Sequence, residues 1–197
     1  MERHRVCERV ISGHATPIRT PGVWYNQPMP AADQGVGVSR HRFQIIPRVL
    51  CFVRQGSDVL LIRGAPTKRI WANKYNGLGG HIESGEGPAA AARREICEES
   101  GLAVTDLRLR GVVTIDAGEP VGIGLYVYTA WAETRDVVPS GEGQLEWVPG
   151  DAVTARDLVE DLTTLIPRLL AQADDAAPFS AHYHYDDAGR LVIDFDD

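Results

Sequence analysis

The sequence predicts an α+β domain, and three observations carry that reading. The stretch "FQIIPRVLCFVRQ", then "GSD", then "VLLIRG", places β-branched and apolar residues on either side of a tight turn, as a strand pair requires. A helix fits Pro88 to about Ser100. Further strand-like runs then precede a second helical pattern, with Leu158, Leu162, Leu165, Ile166 and Leu169 at helical spacing. A chain of 197 residues suits one domain with an appended segment, and it can bury a sizeable core.

The elements follow in order. Residues 1–42 are an N-terminal extension: "TPIRTPGVWYNQPMPAADQGVG" is rich in Pro and Gly and shows no period of 2 or 3.6. Trp24 and Tyr25 are positioned to pin this arm to the domain, where it would also be able to reach a site or a dimer contact. The domain spans 43–197. Pro47 near the start of the first strand predicts an edge or a bulge there. "APTKRIWANKYN" is a loop, and "GLGGHIESGEG" is a glycine-dense strand-and-loop segment.

In the first helix, Pro88 suits the first position, where its missing N–H is no loss. Ala89 to Ala92 are strong helix formers, and Gly101 is a natural stop. "AVTDLRLRGVVTID", "VGIGLYVYTAWAE" and "GQLEWVP" read as strands, with the loop "TRDVVPSGEG" between the last two. "ARDLVEDLTTLIPRLLAQA" reads as the second helix, and Pro167 predicts a kink or interruption in it. Residues 181–195 form a hairpin with its turn at Asp187-Ala188-Gly189, and no internal repeat is present.

Composition narrows the partners. A net charge of −7 argues against a non-specific grip on duplex nucleic acid, yet leaves room for a small anionic substrate held locally. Cys7, Cys51 and Cys97 are odd in number and form no CxxC pair, so free thiols in a reducing compartment are expected. No apolar run approaches the roughly 18 residues of a membrane span. "MERHRVCERV" lacks the apolar stretch of a signal peptide, so the cytoplasm is the expected location.

The chemistry is concentrated in the first helix. Glu95, Glu98 and Glu99 lie at i, i+3 and i+4 and project to a common side. Like charges at that spacing repel, and the C-terminal end of a helix disfavours anions. A divalent cation reverses both terms, because carboxylate oxygens are ligands of hard cations such as Mg²⁺. Counting from Gly80, the pattern is G-x5-E-x7-R-E-U-x-E-E-x-G-U, with U a bulky apolar residue. Gly80, Glu86, Arg94, Glu95, Ile96, Glu98, Glu99, Gly101 and Leu102 fill it, within residues 80–102. This is the Nudix box, and the chain resembles the Nudix hydrolases.

That resemblance implies an α/β/α sandwich on a mixed β-sheet and a Mg²⁺-dependent hydrolase, with Mn²⁺ a possible substitute. It implies Glu95, Glu98, Glu99 and the Gly79 carbonyl as metal ligands. It implies Arg94 as the residue that orients the catalytic glutamate, with Glu86 in support. The reaction shared by such enzymes is attack of water on a phosphorus of a nucleoside diphosphate derivative. The general base must be a carboxylate near that water, and Glu95, Glu98 and Glu142 (in "PSGEGQLEW") remain open for it.

Flanking residues bear on the substrate. Val59 to Ile82 contains Arg63, Lys68, Arg69 and Lys74 and no acid, a basic island suited to a polyphosphate. His81 is a further residue near the expected phosphates. "KYNGLGGHIESGE" resembles the matching stretch of the MutT-like, oxidised-purine nucleoside triphosphatase subgroup, with Tyr75 a departure from its Trp. The resemblance implies that Asn76 meets the base, and an Asn carboxamide offers the donor and acceptor a purine edge needs. It likewise implies Trp147 and Asp151 in "EWVPGD" as a stacking indole and a base-edge carboxylate, with Ile70 or Trp71 as an apolar wall. The expected activity is conversion of an oxidised purine nucleoside triphosphate to monophosphate and pyrophosphate, by a monomer or homodimer. The alternatives are a Nudix hydrolase of ADP-ribose or of a dinucleoside polyphosphate, or a non-catalytic nucleotide-sensing domain.

Overall fold

The computed structural model describes residues 42–138 and 141–196, so the extension expected over 1–42 lies outside the described residues except for Arg42. Chain order is β1 (Gln44–Gln55), β2 (Asp58–Gly64), β3 (Tyr75–Asn76), α1 (Pro88–Ser100), β4 (Val104–Asp116), β5 (Val121–Ala132), β6 (Gly143–Pro149), a 3-10 turn (Gly150–Ala155), α2 (Leu162–Ala171), β7 (Phe179–Tyr185) and β8 (Leu191–Asp196). The strands form one mixed sheet ordered β3-β2-β1-β5-β4-β7-β8, with β6 paired to β2. The β1–β5 and β4–β7 pairs are parallel and the remaining pairs antiparallel.

Alternation along β1 assigns the two faces. Val49, Cys51 and Val53 pack with Ala91, Ala92 and Ile96 of α1. Leu50 and Phe52 pack on the other face with Leu162, Leu165, Ile166 and Leu169 of α2. One helix thus covers each face, as an α/β/α sandwich requires. Gly101 ends α1 at a left-handed φ of 74°, its N–H bonded to the Cys97 carbonyl. Among the described residues no helix is long and apolar enough to cross a membrane.

Three expectations need correction. β1 is an interior strand with unbroken register to β5, so Pro47 marks neither an edge nor a bulge. Its carbonyl accepts from the Ile82 N–H, and the missing Pro47 donor falls on that same loop-facing side. The second helix begins at Leu162, not near Ala155, and runs through Pro167 as one element. Its expected first turn is drawn away: Leu158 bridges Tyr75, and the Val159 N–H bonds the Tyr75 carbonyl at 2.9 Å. Finally, Cys51 is a buried free thiol but Cys97 is disulfide-bonded, because an odd count leaves room for a pair.

Leu165 is fully buried at the centre of the α2 cluster. Leu165→Ala is expected to cost about 2–5 kcal/mol of stability, read from the shift in a denaturant midpoint at unchanged slope.

Candidate active site

The site is built on a short segment laid against β1. The N–H groups of Val49 and Cys51 bond the carbonyls of Gly80 and Leu78 at 2.9 and 2.7 Å, and Ile82 returns a bond to Pro47. The Gly79 N–H points to the other edge, where it donates to Glu99 Oε2 at 2.9 Å. Glycine is required here. Gly79 has φ 146°, and a Cβ on it would lie 2.1 Å from the Val49 carbonyl oxygen. A Cβ on Gly80 would lie 2.4 Å from Glu95 Oε1, so the loop touches the helix carboxylates only because neither glycine has a side chain.

Arg94 organises the acidic side. Its Nε and Nη2 bond the two Glu86 oxygens at 2.9 and 3.0 Å. Nη1 bonds Glu95 Oε1 at 2.9 Å and Glu98 Oε2 at 3.1 Å, while Nη2 also donates to the His81 carbonyl at 3.0 Å. The Glu86 grip is the bidentate fork that guanidinium geometry favours. The Arg94 hydrogen bond holds the Glu86 carboxyl below its ordinary range. Burial, opposed by Arg94, pushes Glu95 up. Burial, followed by the charges of Glu95 and Glu142, pushes Glu99 up to about 7. Glu98 differs in being 55 % exposed, so water reaches it.

This donor set fits a divalent cation. It offers hard oxygen ligands that repel one another, on the edge the Gly79 N–H faces. The carboxylates do not yet converge: among the described residues no three acidic, His or Cys side chains form a ready group. Glu95 and Glu98 are held by Arg94, and Glu99 by the Gly79 N–H.

Across the glycine segment, on the α2 face, lies a cleft of about 250 Å³. Asn76, Gly79, Gly80, Trp71 and Asp161 line it, with Tyr183 in its wall. A backbone stitch sets Asp161 near Asn76. The Tyr75 N–H bonds the Asp157 carbonyl and the Val159 N–H bonds the Tyr75 carbonyl, so residues 157–159 are tied to the residue before Asn76. Asp161 occupies the N-cap position of α2, yet its side chain makes no cap bond, and burial pushes its carboxyl up to about 6. The Tyr183 hydroxyl is buried without a hydrogen-bond partner. Asn76 Oδ1 accepts from the Gly77 N–H at 2.8 Å, which fixes its amide orientation. Trp71 is 46 % exposed with φ 59°, a left-handed conformation costing about 1–3 kcal/mol in a bulky residue.

The expected site residues divide. Asn76, Trp71 and Gly79 share the cleft, whereas Trp147 and Asp151 do not line it. Trp147 pairs with Leu60 across β2–β6 and packs in the α1-face cluster, under the Arg135 guanidinium. Asp151 is exposed in the 3-10 turn. The carboxylate that lines the cleft is that of Asp161, ten residues beyond Asp151. Sequence reading missed Asp161 because the helix expected from Ala155 placed it in a helix interior, whereas the helix starts at Leu162. The basic island is largely engaged: Lys68 pairs with Glu142 at 2.8 Å, Lys74 with Asp157 at 2.7 Å, and Arg63 Nε donates to the Asn73 carbonyl. Arg63 lines a separate surface hollow beside Gly64 and Gly143. Lys68 and Glu142 remain close enough to Glu99 for their charges to act on it. His81 contributes its carbonyl to Arg94, and its side chain is exposed.

Comparison with known proteins agrees with this geometry. A family model described as the NUDIX domain matches residues 45–169. The chain belongs to the Nudix family. A mouse protein named oxidized purine nucleoside triphosphate hydrolase is 30% identical over 144 residues, 73% of this chain and 88% of that protein. A Danio rerio protein of the same name is 31% identical over 122 residues, 61% of this chain and 77% of that protein. The crystal structure of a MutT protein from Bacillus halodurans superposes with a TM-score of 0.65 at 23% identity, covering 77% of this chain and 98% of that one. The molecule is thus a Nudix hydrolase with the Nudix fold, and its box is the Arg94-centred cluster.

Arg94→Lys keeps the charge and loses the fork. We expect kcat to fall roughly a hundredfold with KM little changed, measured in steady state on the best substrate. Glu86→Gln should destabilise the protein at neutral pH. The folded Glu86 carboxyl titrates below its ordinary value of 4.5, so its contribution is full above that value and is lost as pH falls through the lower folded one. Thermal melts from about pH 7 to about pH 3 should show the gap between wild type and variant closing under acid.

Proposed function

We propose that this Nudix hydrolase is a divalent-cation-dependent pyrophosphohydrolase that converts oxidised purine nucleoside triphosphates, of the 8-oxo-dGTP kind, to monophosphate and pyrophosphate. One observation carries the reading: a single cleft holds Asn76 and Asp161 together and ends at the glycine segment that touches the helix carboxylates. A carboxamide offers a donor and an acceptor, and a carboxyl pushed up to about 6 adds a donor when protonated. Together they suit a purine edge rich in both. The names of the mouse and Danio rerio relatives support the same substrate class.

In this reading Asn76 and Asp161 orient the base, Trp71 covers it, and the glycine segment lets the phosphates pass close to α1. Glu95, Glu98, Glu99 and the Gly79 carbonyl would hold the cation, Mg²⁺ or Mn²⁺, which supplies charge neutralisation on the phosphates and a more acidic water when bound. Arg94 fixes the Glu95 and Glu98 carboxylates before substrate arrives. Glu98, accessible to solvent, and Glu142, restrained by Lys68, are the two carboxylates suited to take the water's proton.

The test is a phosphate-release screen over canonical and oxidised nucleoside triphosphates, ADP-ribose and dinucleoside polyphosphates. The oxidised purine triphosphate should give the highest kcat/KM, and equal or better turnover of ADP-ribose would sink the reading. Asp161→Ala and Asn76→Ala should each raise KM for it about tenfold or more and spare a substrate without a purine. Asp161→Asn should keep a donor and abolish any inflection near pH 6 in the kcat/KM profile.

A further inference from the structure

Arg48 lies on β1 and lines the cleft on the same face as Leu50. It sits opposite His81 in an antiparallel bridge, and the Val49 N–H that follows it bonds the Gly80 carbonyl at 2.9 Å. The residue is therefore rooted where the cleft meets the glycine segment, at the end facing the α1 carboxylates. The Asn76 and Asp161 end is fixed separately by the stitch through Tyr75.

Several other arginines hold a partner, and Arg54, whose Nε is also buried and unpartnered, lies over the Trp131 ring. Arg94, Arg110, Arg135, Arg156 and Arg190 each hold a carboxylate. Among the described residues the Arg48 side chain meets no acceptor, no carboxylate and no ring, and its Nε is shut off from water. A half-covered guanidinium with unsatisfied donors is costly, and the fold gains nothing visible from it. Its planar fork matches a phosphate, which would meet several of its donors at once. Its place between the base end and the glycine segment suits the phosphate next to the sugar.

We propose that Arg48 binds the α-phosphate of the nucleotide and so sets the phosphate chain's path from the cleft across Gly79 and Gly80. The proposal rests on the cleft being the nucleotide site, and extends it by a residue that the box does not contain. Because the α-phosphate stays on the product, the monophosphate should share this contact and the bare nucleoside should not.

The experiment is calorimetric binding of 8-oxo-dGMP and of 8-oxo-deoxyguanosine to the full chain, as wild type, Arg48→Met and Arg48→Lys, in magnesium buffer. Arg48→Met should weaken the monophosphate roughly ten- to hundredfold and leave the nucleoside unchanged, with partial recovery in Arg48→Lys. The ligand-free Met variant should melt no lower than wild type, which a structural role would not allow. Equal weakening of both ligands, no weakening of either, or a wild type that binds monophosphate no better than nucleoside overturns the proposal. Parallel titration of dGMP and deoxyguanosine separates the two ideas. If wild type prefers no oxidised base, the substrate reading fails, while loss of the phosphate increment in Arg48→Met still upholds the α-phosphate contact.

Discussion

The guanidinium of Arg94 holds Glu86, Glu95, Glu98 and the His81 carbonyl at once, and the site's geometry depends on that shared grip. Three carboxylates against one guanidinium leave an excess of two negative charges when all are ionised, with Glu99 a further acid alongside. In an apolar setting such an excess would be removed by protonation, and the upward shift of Glu99 is the beginning of that. A divalent cation removes it without protons. Arg94 therefore organises the cluster without neutralising it, and the charge left over is of the sign and size a divalent cation would offset.

Backbone does the rest of the positioning. The segment from Leu78 to Ile82 is held to β1 by main-chain bonds, and its close approach depends on Gly79 and Gly80 carrying no side chain. Gly79 and Gly80 then let one strand of backbone separate two environments, an acidic one on the α1 face and an apolar cleft on the α2 face. A nucleotide is itself divided in this way, with an aromatic base at one end and anionic phosphates at the other. Under the proposed reading, each half of a nucleotide would meet chemistry suited to it.

Legibility in the sequence follows the range of the interactions. α1 was readable to the residue, because Pro88 and Gly101 are local signals, and β6 likewise. The box residues were readable because their spacing within one helix forces them together. The start of α2 was not, since the stitch between Tyr75 and Val159 joins residues far apart in the chain. Long-range pairing also sets which expected residues line the cleft: the β2–β6 register turns Trp147 to the α1 face, and "EWVPGD" alone does not show that. The ion pairs of the basic island were unreadable for a similar reason, because its partners Glu142 and Asp157 come from distant loops.

The cleft differs from the apolar core clusters in the polar groups that it gathers. The interior clusters are almost wholly apolar, whereas the cleft gathers the unpartnered guanidinium of Arg48, the unpartnered hydroxyl of Tyr183 and the buried carboxyl of Asp161, which the backbone at 161 and 162 partly satisfies. The unpartnered Arg48 and Tyr183 atoms cost free energy, as do the Arg54 and Arg156 Nε atoms buried outside the cleft. The cleft's donors and acceptors differ in kind: a cationic fork toward the glycine segment, a phenol in the wall, a titrating acid near Asn76. A single uniform anion would leave the phenol and the acid idle, and a bare purine would leave the guanidinium idle. Under the proposed reading, a ligand carrying both a hydrogen-bonding ring and a phosphate would meet all three.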